Sequence, residues 1–257
     1  MKAIETNHLT KKYKDVTAVD ALCLSVEQGE LFALLGVNGA GKTTTIKMLS
    51  CLTAPSGGDA HLLGDSVVTA PMKVKEKINL SPQETAVAPN LTVRENLEFV
   101  CGIYGIGKAE AGAKAKDMIE RCSLGKIAGK KARMLSGGWQ RRLSIAMALI
   151  SEPEILFLDE PTLGLDVLAR RELWDMIEKL KGKVTVVLTT HYLEEAENLS
   201  DRIGIMAGGR LFAVGTAEEL TKKAGKETFE EAFVVLCRGG GISVSYTHLR
   251  AHETAAN

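Results

Sequence analysis

The amino-acid sequence predicts an α/β fold built on a largely parallel sheet, with a long helical segment inserted into it. Residues 31–35 form a continuous apolar run before a glycine-rich loop, the pattern of a strand buried on both faces of a parallel sheet. Strand patterns return at 155–158 and 184–188, with a helical pattern between them. Residues 93–150 contain few strand signals and several helical ones, which predicts the insertion.

The composition excludes several classes of protein. The 257 residues, 45% of them hydrophobic, suffice for one large globular domain. The 32 basic and 32 acidic residues give a net charge of zero. The chain therefore lacks the overall basic excess that binds nucleic acid without sequence preference, and we expect no nucleic-acid partner.

The cysteines and the apolar runs indicate an intracellular chain outside the bilayer. Five cysteines are an odd number and form no C-x-x-C pair, which fits neither a disulfide framework nor a zinc site, so we expect reduced core thiols. No stretch approaches the roughly 18 apolar residues that a spanning helix needs. We expect a soluble chain that reaches the membrane only through a partner.

The first sixty residues predict strands on either side of a polar segment, followed by a helix. Short apolar runs predict strands at 3–6 and 22–26, separated by a polar loop at 11–20. After the strand at 31–35 comes a helix at 43–52. That helix stops before a cluster of proline, serine and glycine at 55–58, which predicts a turn.

Helical signals dominate the middle of the chain. Thr92 and Glu95 have the spacing of a capping box, so a helix begins there. Leu143, Met147 and Ile150 share one face of a further helix. The later predicted elements are a helix at 168–181, a hairpin of strands at 202–206 and 210–214, and helices at 217–224 and 227–236.

Residues 36–43, GVNGAGKT, match the phosphate-binding pattern G-x-x-x-x-G-K-[ST] between a predicted strand and a predicted helix. The glycines let backbone N–H groups point at phosphates, and the helix N-terminus adds a positive dipole end. Lys42 supplies a cation to the β and γ phosphates, and Thr43 offers a hydroxyl to Mg²⁺. The predicted nucleotide-binding residues here are Gly36, Asn38, Gly39, Ala40, Gly41, Lys42, Thr43 and Thr44.

Two acids, Asp159 and Glu160, follow the strand at 155–158. The carboxyl ends of strands are where α/β sheets bind ligands. We expect Asp159 to hold Mg²⁺ through water and Glu160 to orient or deprotonate the attacking water. Acid pairs after strands are also common helix caps, but the phosphate loop upstream favours a hydrolase.

Residues 135–142, LSGGWQRR, resemble the signature motif of ABC-family ATPases, usually written LSGGQ. Ser136, Gly137 and Gly138 open a predicted helix, so they form a second anion-binding helix N-terminus. In the family this second site serves the γ-phosphate held by the opposite subunit, which implies two nucleotides in a head-to-tail dimer. Trp139 departs from the family's usual glutamine, and we expect this change to be tolerated because the serine and both glycines are intact.

The resemblance implies roles for four further residues. Tyr13 resembles the aromatic residue that stacks on adenine. Gln83 resembles the glutamine that reaches Mg²⁺ and the attacking water. Asp166 matches the loop through which one subunit senses the other's site. His191 resembles the histidine that contacts the γ-phosphate.

The resemblance covers residues 2–236 and implies a P-loop NTPase core of the RecA-like type, an antiparallel β subdomain and an inserted α-helical subdomain. It divides a single domain at 1–238 into a core at 1–85 and 151–225, a helical subdomain at 86–150 and a C-terminal helix at 226–238. Residues 239–257 resemble translated adapter sequence, and we interpret them as a non-native tail.

The function implied is that of an ATP-hydrolysing transporter subunit with ATP and Mg²⁺. Its expected partners are a separate membrane permease and a second ATP-binding subunit, identical or different. The expected location is the cytoplasm, at the inner face of the cell membrane through the permease. The resemblance favours exporters whose permease is a separate chain.

Two other functions remain open at this point. One is a soluble ABC-type ATPase that acts on ribosomes or DNA; such proteins usually carry two cassettes or a long coiled-coil insertion, and this chain has one phosphate loop and no sustained heptads. The other is a nucleotide sensor without hydrolysis. Glu160 and His191 argue against the sensor, which would be expected to lack one of them.

Overall fold

A computed structural model describes residues 1–238, which form two β-sheets and nine α-helices. The predicted non-native tail at 239–257 lies outside the described residues. The strands are β1 Lys2–Tyr13, β2 Val16–Leu22, β3 Ser25–Glu27, β4 Leu31–Leu35, β5 Gly57–Leu62, β6 Asp65–Ser66, β7 Ile78–Ser81, β8 Ile155–Asp159, β9 Thr185–Thr190, β10 Arg202–Ala207 and β11 Arg210–Gly215. The helices are α1 Lys42–Leu49, α2 Pro71–Lys77, α3 Val93–Ile103, α4 Lys108–Arg121, α5 Gly137–Leu149, α6 Val167–Glu178, α7 Leu193–Leu199, α8 Ala217–Ala224 and α9 Phe229–Arg238.

The central sheet has six strands in the order β11-β10-β4-β9-β8-β7. All neighbours are parallel except β10 and β11, which form the predicted antiparallel hairpin. β4 and β8 are buried along their whole length, as their apolar runs predict. The carboxyl ends of β4, β8 and β9 therefore meet at one edge of the sheet.

The second sheet is antiparallel and contains β1, β2, β3, β5 and β6. The predicted polar loop at 11–20 is wrong, because β1 extends to Tyr13 and pairs with β2 from Val16. One face of this hairpin is exposed to solvent, so polar and buried residues are interspersed along it. The segment therefore lacks the continuous apolar run that signals a buried strand. The predicted turn at 55–58 instead leads directly into β5 at Gly57.

The helical segment contains α3, α4 and α5. The capping box at the start of α3 is confirmed: the Glu95 N–H donates to Thr92 Oγ1 at 3.1 Å, and the Thr92 N–H donates to Glu95 Oε2 at 2.7 Å. Leu143 and Ile150 are buried on the predicted face of α5. The boundaries assigned to the subdomains stay predictions.

The core lies on both sides of the central sheet. Leu31, Ala33 and Leu35 of β4 belong to the hydrophobic cluster that includes the helical segment. Phe32 and Leu34 point the other way, into the cluster shared with the antiparallel sheet and α1. Alternate side chains of β4 therefore pack into the two clusters on opposite faces of the sheet. This packing holds the end of β4, from which the glycine-rich loop starts.

Several elements carry no clear sequence signal. α2, α7 and β7 are short and partly exposed, so neither period is visible over their lengths. Within residues 1–238, no helix is both long and apolar enough to cross a bilayer. Cys101, Cys122 and Cys237 are buried as expected, whereas Cys23 is exposed.

Candidate active site

The glycine-rich loop turns sharply between β4 and α1. Gly41 has φ 99°, in the left-handed region, and a Cβ atom there would lie 2.4 Å from the Ala18 carbonyl oxygen. A Cβ atom on Gly36 would lie 2.2 Å from the Met206 carbonyl oxygen. Neighbouring backbone from two other strands therefore requires glycine at both positions, and the loop is held in one conformation.

The ammonium of Lys42 lies inside this loop with only 5% of the residue exposed. Its Nζ donates to the carbonyl oxygen of Gly36 at 2.7 Å and to that of Val37 at 3.3 Å. The same Nζ lies 3.1 Å from Oε1 of Glu160. Lys42 thus connects the loop after β4 to the acid after β8.

Asp159 accepts two hydroxyl hydrogen bonds through the same oxygen. Thr43 Oγ1 donates to Asp159 Oδ1 at 3.0 Å, and Thr189 Oγ1 donates to it at 2.6 Å. Sequence analysis assigned no role to Thr189, although its place at the end of β9 was a usable signal. The Glu160 N–H in turn donates to Thr189 Oγ1 at 3.0 Å, so Thr189 orients both acids.

Glu160 is held between two basic side chains. His191 Nδ1 lies 2.7 Å from Glu160 Oε2, opposite the Lys42 contact on Oε1. Burial raises the pKa of Glu160, but the hydrogen bond from His191 and the charge of Lys42 outweigh it, so this pKa lies below its ordinary value of 4.5. The carboxylate is therefore ionised at neutral pH.

Backbone geometry contributes to the position of this carboxylate. Glu160 has φ 48°, a left-handed conformation that costs a non-glycine residue about 1–2 kcal/mol. The conformation ends β8 abruptly, and the side chain returns toward Lys42 and His191. Such strain is common at functional sites, where the surrounding contacts maintain it.

Lys42, Glu160 and His191 line a cavity of about 540 Å³. Most of the predicted site residues meet there. The lining residues are Tyr13, Ala18, Asn38, Gly39, Ala40, Gly41, Lys42, Thr43, Thr44, Gln83, Glu160, Leu163 and His191. Tyr13 stands at its margin with 46% of its surface exposed, next to the Lys11 ammonium at 5.1 Å from the ring centre.

Six predicted residues do not line this cavity: Gly36, Asp159, Ser136, Gly137, Gly138 and Asp166. Ser136, Gly137 and Gly138 lie at the N-terminus of α5, where the first two are exposed. Asp166 is exposed and caps α6, since its Oδ1 accepts the Ala169 N–H at 2.8 Å. A Cβ atom on Gly138 would lie 3.0 Å from Ala169, so these two helix starts lie side by side at the surface.

Trp139 packs within its own subunit. Its ring lies beneath the Arg142 guanidinium, with 4.7 Å between the guanidinium carbon and the ring centre. Arg142 also forms an ion pair with Glu172 of α6. Gln140 Nε2 donates to the Leu135 carbonyl oxygen at 3.1 Å. Gln140 therefore joins the start of α5 to the segment before it, and Trp139 packs on the arginine that joins α5 to α6.

The donors at the carboxyl edge of the sheet fit Mg²⁺. Thr43 Oγ1 and Asp159 Oδ1 are hard oxygen ligands 3.0 Å apart. Residues 1–238 contain no cluster of three or more His, Cys, Asp or Glu side chains suited to a metal. Mg²⁺ commonly binds through one or two protein oxygens plus substrate phosphates, so two ligands beside a phosphate loop are sufficient.

Comparison with known proteins agrees with this geometry. A family model described as ABC transporter matches residues 19–163. The daunorubicin resistance ATP-binding protein DrrA3 of Streptomyces coeruleorubidus is 42% identical over 244 residues, covering 95% of this chain and 76% of that protein. The linearmycin resistance ATP-binding protein LnrL of Bacillus subtilis is 38% identical over 267 residues, covering 99% and 86%.

A solved structure extends the comparison to three dimensions. The post-hydrolysis dimer of the ATP-binding cassette MJ0796, bound to ADP and Pi, superposes with a TM-score of 0.75 at 27% identity, covering 83% of this chain and 98% of that one. The fold is the predicted P-loop NTPase fold. The family match and the length and identity of the relatives agree: the chain belongs to the ABC transporter family, as one of its ATP-binding ATPase subunits.

Proposed function

We propose that two copies of this subunit, or this subunit and a related one, close over two ATP-Mg²⁺ and drive export through a separate membrane permease. The observation that carries the proposal is the contact of buried Lys42 and Glu160 with half-buried His191 at one edge of the sheet. It places a cation for phosphate and an ionised carboxylate in one cavity, which is what phosphoryl transfer to water needs.

The residues divide the chemistry among them. Lys42 is shared between Glu160 and two loop carbonyls, and ATP phosphates are stronger acceptors than carbonyls, so binding draws its Nζ to the phosphates. Glu160 is then free to orient a water molecule and accept its proton. His191 holds the Glu160 carboxylate in place and lines the same cavity, so we propose that it contacts the transferred phosphate.

A bound Mg²⁺ beside the phosphate loop would neutralise charge on the phosphates. Thr43 and Asp159 are the residues that would hold it, and Gln83 lines the same cavity. Thr189 keeps the Asp159 oxygen aimed at Thr43. Tyr13 lines the margin of the cavity, which supports our proposal that its ring covers the adenine base.

The exposed start of α5 supports action in pairs. Ser136 and Gly137 are exposed at a helix N-terminus, which favours an anion, and they do not line the chain's own cavity. Around them lie exposed apolar side chains: Met134 (73%), Val167 (65%) and Leu168 (75%). Such a surface, which also contains the exposed Asp166, is suited to contact with a second subunit.

A second exposed apolar surface supports a permease partner. Phe99, Ile103 and Tyr104 of the helical segment are 54%, 67% and 51% exposed. We propose that this surface receives a helix of the permease and that the chain lies at the cytoplasmic face of the membrane through that contact. Export is the direction we propose, because the relatives named above are drug-resistance proteins.

The domain division follows the same proposal. Residues 1–85 and 151–225 form the nucleotide-binding core, residues 86–150 the helical subdomain, and residues 226–238 a C-terminal helix. In this division the core holds ATP, and the helical subdomain carries both the second anion site and the permease surface.

The proposal is tested by ATP hydrolysis against protein concentration, together with size-exclusion chromatography of Glu160→Gln in ATP and Mg²⁺. We expect activity to rise faster than linearly with concentration and the variant to form an ATP-dependent dimer. Glu120→Gln, a matched change at an exposed position of α4, serves as the control. Hydrolysis strictly proportional to protein, with a monomer at all concentrations, would contradict pairing.

A further inference from the structure

A buried guanidinium lies one turn beyond the start of α5. Arg141 is 6% exposed. Its Nη1 donates to the Pro82 carbonyl oxygen at 2.6 Å, and its Nη2 donates to the Gln83 carbonyl oxygen at 2.5 Å. One planar side chain therefore holds two successive carbonyls of the loop that carries Gln83.

A second contact joins the same two elements. The hydroxyls of Ser144 in α5 and Ser81 at the end of β7 share a buried hydrogen bond of 2.9 Å. Positions 141 and 144 lie on one face of the helix. That face is thus attached to both the end of β7 and the loop beyond it, which restricts independent movement of α5 and this loop.

An arginine at this position stabilises the fold less than an apolar side chain would. Among the described residues, Arg141 has no carboxylate within ion-pair distance. Burial lowers its pKa, which Asp159 partly opposes at longer range, and arginine stays protonated in proteins. A buried charge without a direct counter-charge is less favourable than an apolar side chain of similar size. The planar fork, however, fixes two acceptors at once, which lysine cannot do.

We infer that Arg141 is a positioning residue that couples the start of α5, with Ser136–Gly138, to the loop that places Gln83 in the subunit's own cavity. A shift of the α5 start then moves the Pro82 and Gln83 carbonyls with it. This inference rests on the proposed function, in which the α5 start serves the partner's ATP. Through Arg141, engagement of one ATP adjusts the position of Gln83 at the other.

The kinetic test compares Arg141→Met and Arg141→Lys with the wild type. Because small misplacements of a positioned group strongly slow chemistry, we expect the Met variant to lose roughly 10–100-fold in kcat, with KM for ATP changed by no more than about threefold. The Lys variant keeps the positive charge but not the planar guanidinium, so its kcat should lie between that of the Met variant and that of the wild type. Arg121→Met, at an exposed position of α4, is the matched control and should behave as wild type.

Hydrogen exchange supplies a measurement that does not depend on turnover. With ATP, Mg²⁺ and the Glu160→Gln background, the amides at 82–90 and 136–140 should gain protection together. When Arg141→Met is added, the amides at 82–90 should exchange as fast with ATP as without it. The amides at 136–140 should still gain protection with ATP. Full kcat in both Arg141 variants, or joint protection of the two segments in them, overturns the inference.

The two proposals fail in distinguishable ways. Absence of concentration-dependent hydrolysis in the wild type defeats the proposed function, and the exchange rates at 82–90 in Arg141→Met still decide whether Arg141 holds this loop. If the Met variant does not fold, the Lys variant carries the test. A Lys variant that folds with wild-type kcat and wild-type exchange at 82–90 also overturns the inference.

Discussion

Lys42 and Glu160 form a buried ion pair, with Nζ 3.1 Å from Oε1 and only 5% and 8% of the two side chains exposed. Each has other partners as well, since Lys42 donates to two loop carbonyls and Glu160 contacts His191. The pair therefore lies at the junction of the phosphate loop and the carboxyl end of β8. In the proposed mechanism, its strength determines how readily ATP separates the two residues.

We predict a measurable coupling between these two residues. In a double-mutant cycle of Lys42→Met and Glu160→Gln, followed by urea unfolding without nucleotide, the coupling energy should be about 1 kcal/mol, within the usual range for contacting residues. Each substitution should lower the free energy of unfolding more in the wild type than in the variant that already carries the other substitution. A coupling indistinguishable from zero would mean that the remaining partners hold each residue equally well.

The lowered pKa of Glu160 predicts a dependence of stability on acid. Since its folded pKa lies below 4.5, the stability it contributes is complete above the unfolded value and is lost as pH falls through the folded pKa. The free energy of unfolding of the wild type minus that of Glu160→Gln should be constant near neutral pH and decrease below about pH 4.5. Urea titrations across this range measure it, and an increase on acidification would contradict the assignment.

Glu195 should show the opposite dependence. Burial raises its pKa, and the negative charge of Glu160 adds to this, while Thr190, Thr162 and Trp174 act against it. Its carboxyl is 0% exposed and accepts the Trp174 indole N–H at 3.2 Å. The stability it contributes is complete below 4.5 and is lost as pH rises through the folded pKa.

The matched variant for this site is Glu195→Gln, a neutral side chain of the same shape. We expect the free energy of unfolding of the variant minus that of the wild type to increase as pH rises above 4.5. The same urea titrations measure this difference. Glu120→Gln controls for general effects of removing a surface acid. A gap between variant and wild type that stays constant with pH would show that Glu195 is ionised in the folded chain.

Asn96 should be important for stability although no motif contains it. The residue is 0% exposed, and its side chain bonds the backbone before α3: Oδ1 accepts the Ala88 N–H at 2.8 Å, and Nδ2 donates to the Thr92 carbonyl oxygen at 2.9 Å. Asn96→Ala removes the partner of the Ala88 N–H and one of two donors to the Thr92 carbonyl oxygen, which keeps the Asn96 N–H, at a cost of about 1–3 kcal/mol. Thermal unfolding beside Asn198→Ala, at an exposed amide on α7, measures the difference.

The thiols should react in a defined order. Burial raises the pKa of Cys122 and of Cys237, each to about 11, whereas Cys23 is exposed. The thiolate is the reactive form, so a disulfide reagent at pH 8 should label Cys23 rapidly and the two buried thiols only on unfolding. Cys23→Ser should remove the fast phase. A fast phase that survives this change would locate a reactive thiol elsewhere.

The sequence predicted the parts of the site that are contiguous in the chain. β4, the loop at 36–43 and the acids after β8 are read correctly because each is a local pattern: an apolar run, a glycine spacing, or charge at a strand end. The prediction at 3–6 found the start of β1, but the loop predicted at 11–20 covers the end of β1 and most of β2, since a sheet with one face in solvent needs no apolar run. The roles assigned to the site residues stay predictions.

What the sequence alone determined is therefore a phosphate loop and two acids, since those residues follow one another in the chain. Only the tertiary structure decided that Lys42 contacts Glu160, that Thr189 bonds Asp159 and that Arg141 holds the Gln83 carbonyl. Each of these contacts joins residues more than fifty positions apart or on different strands of the sheet. Such contacts depend on strand order and helix packing, which no local period encodes.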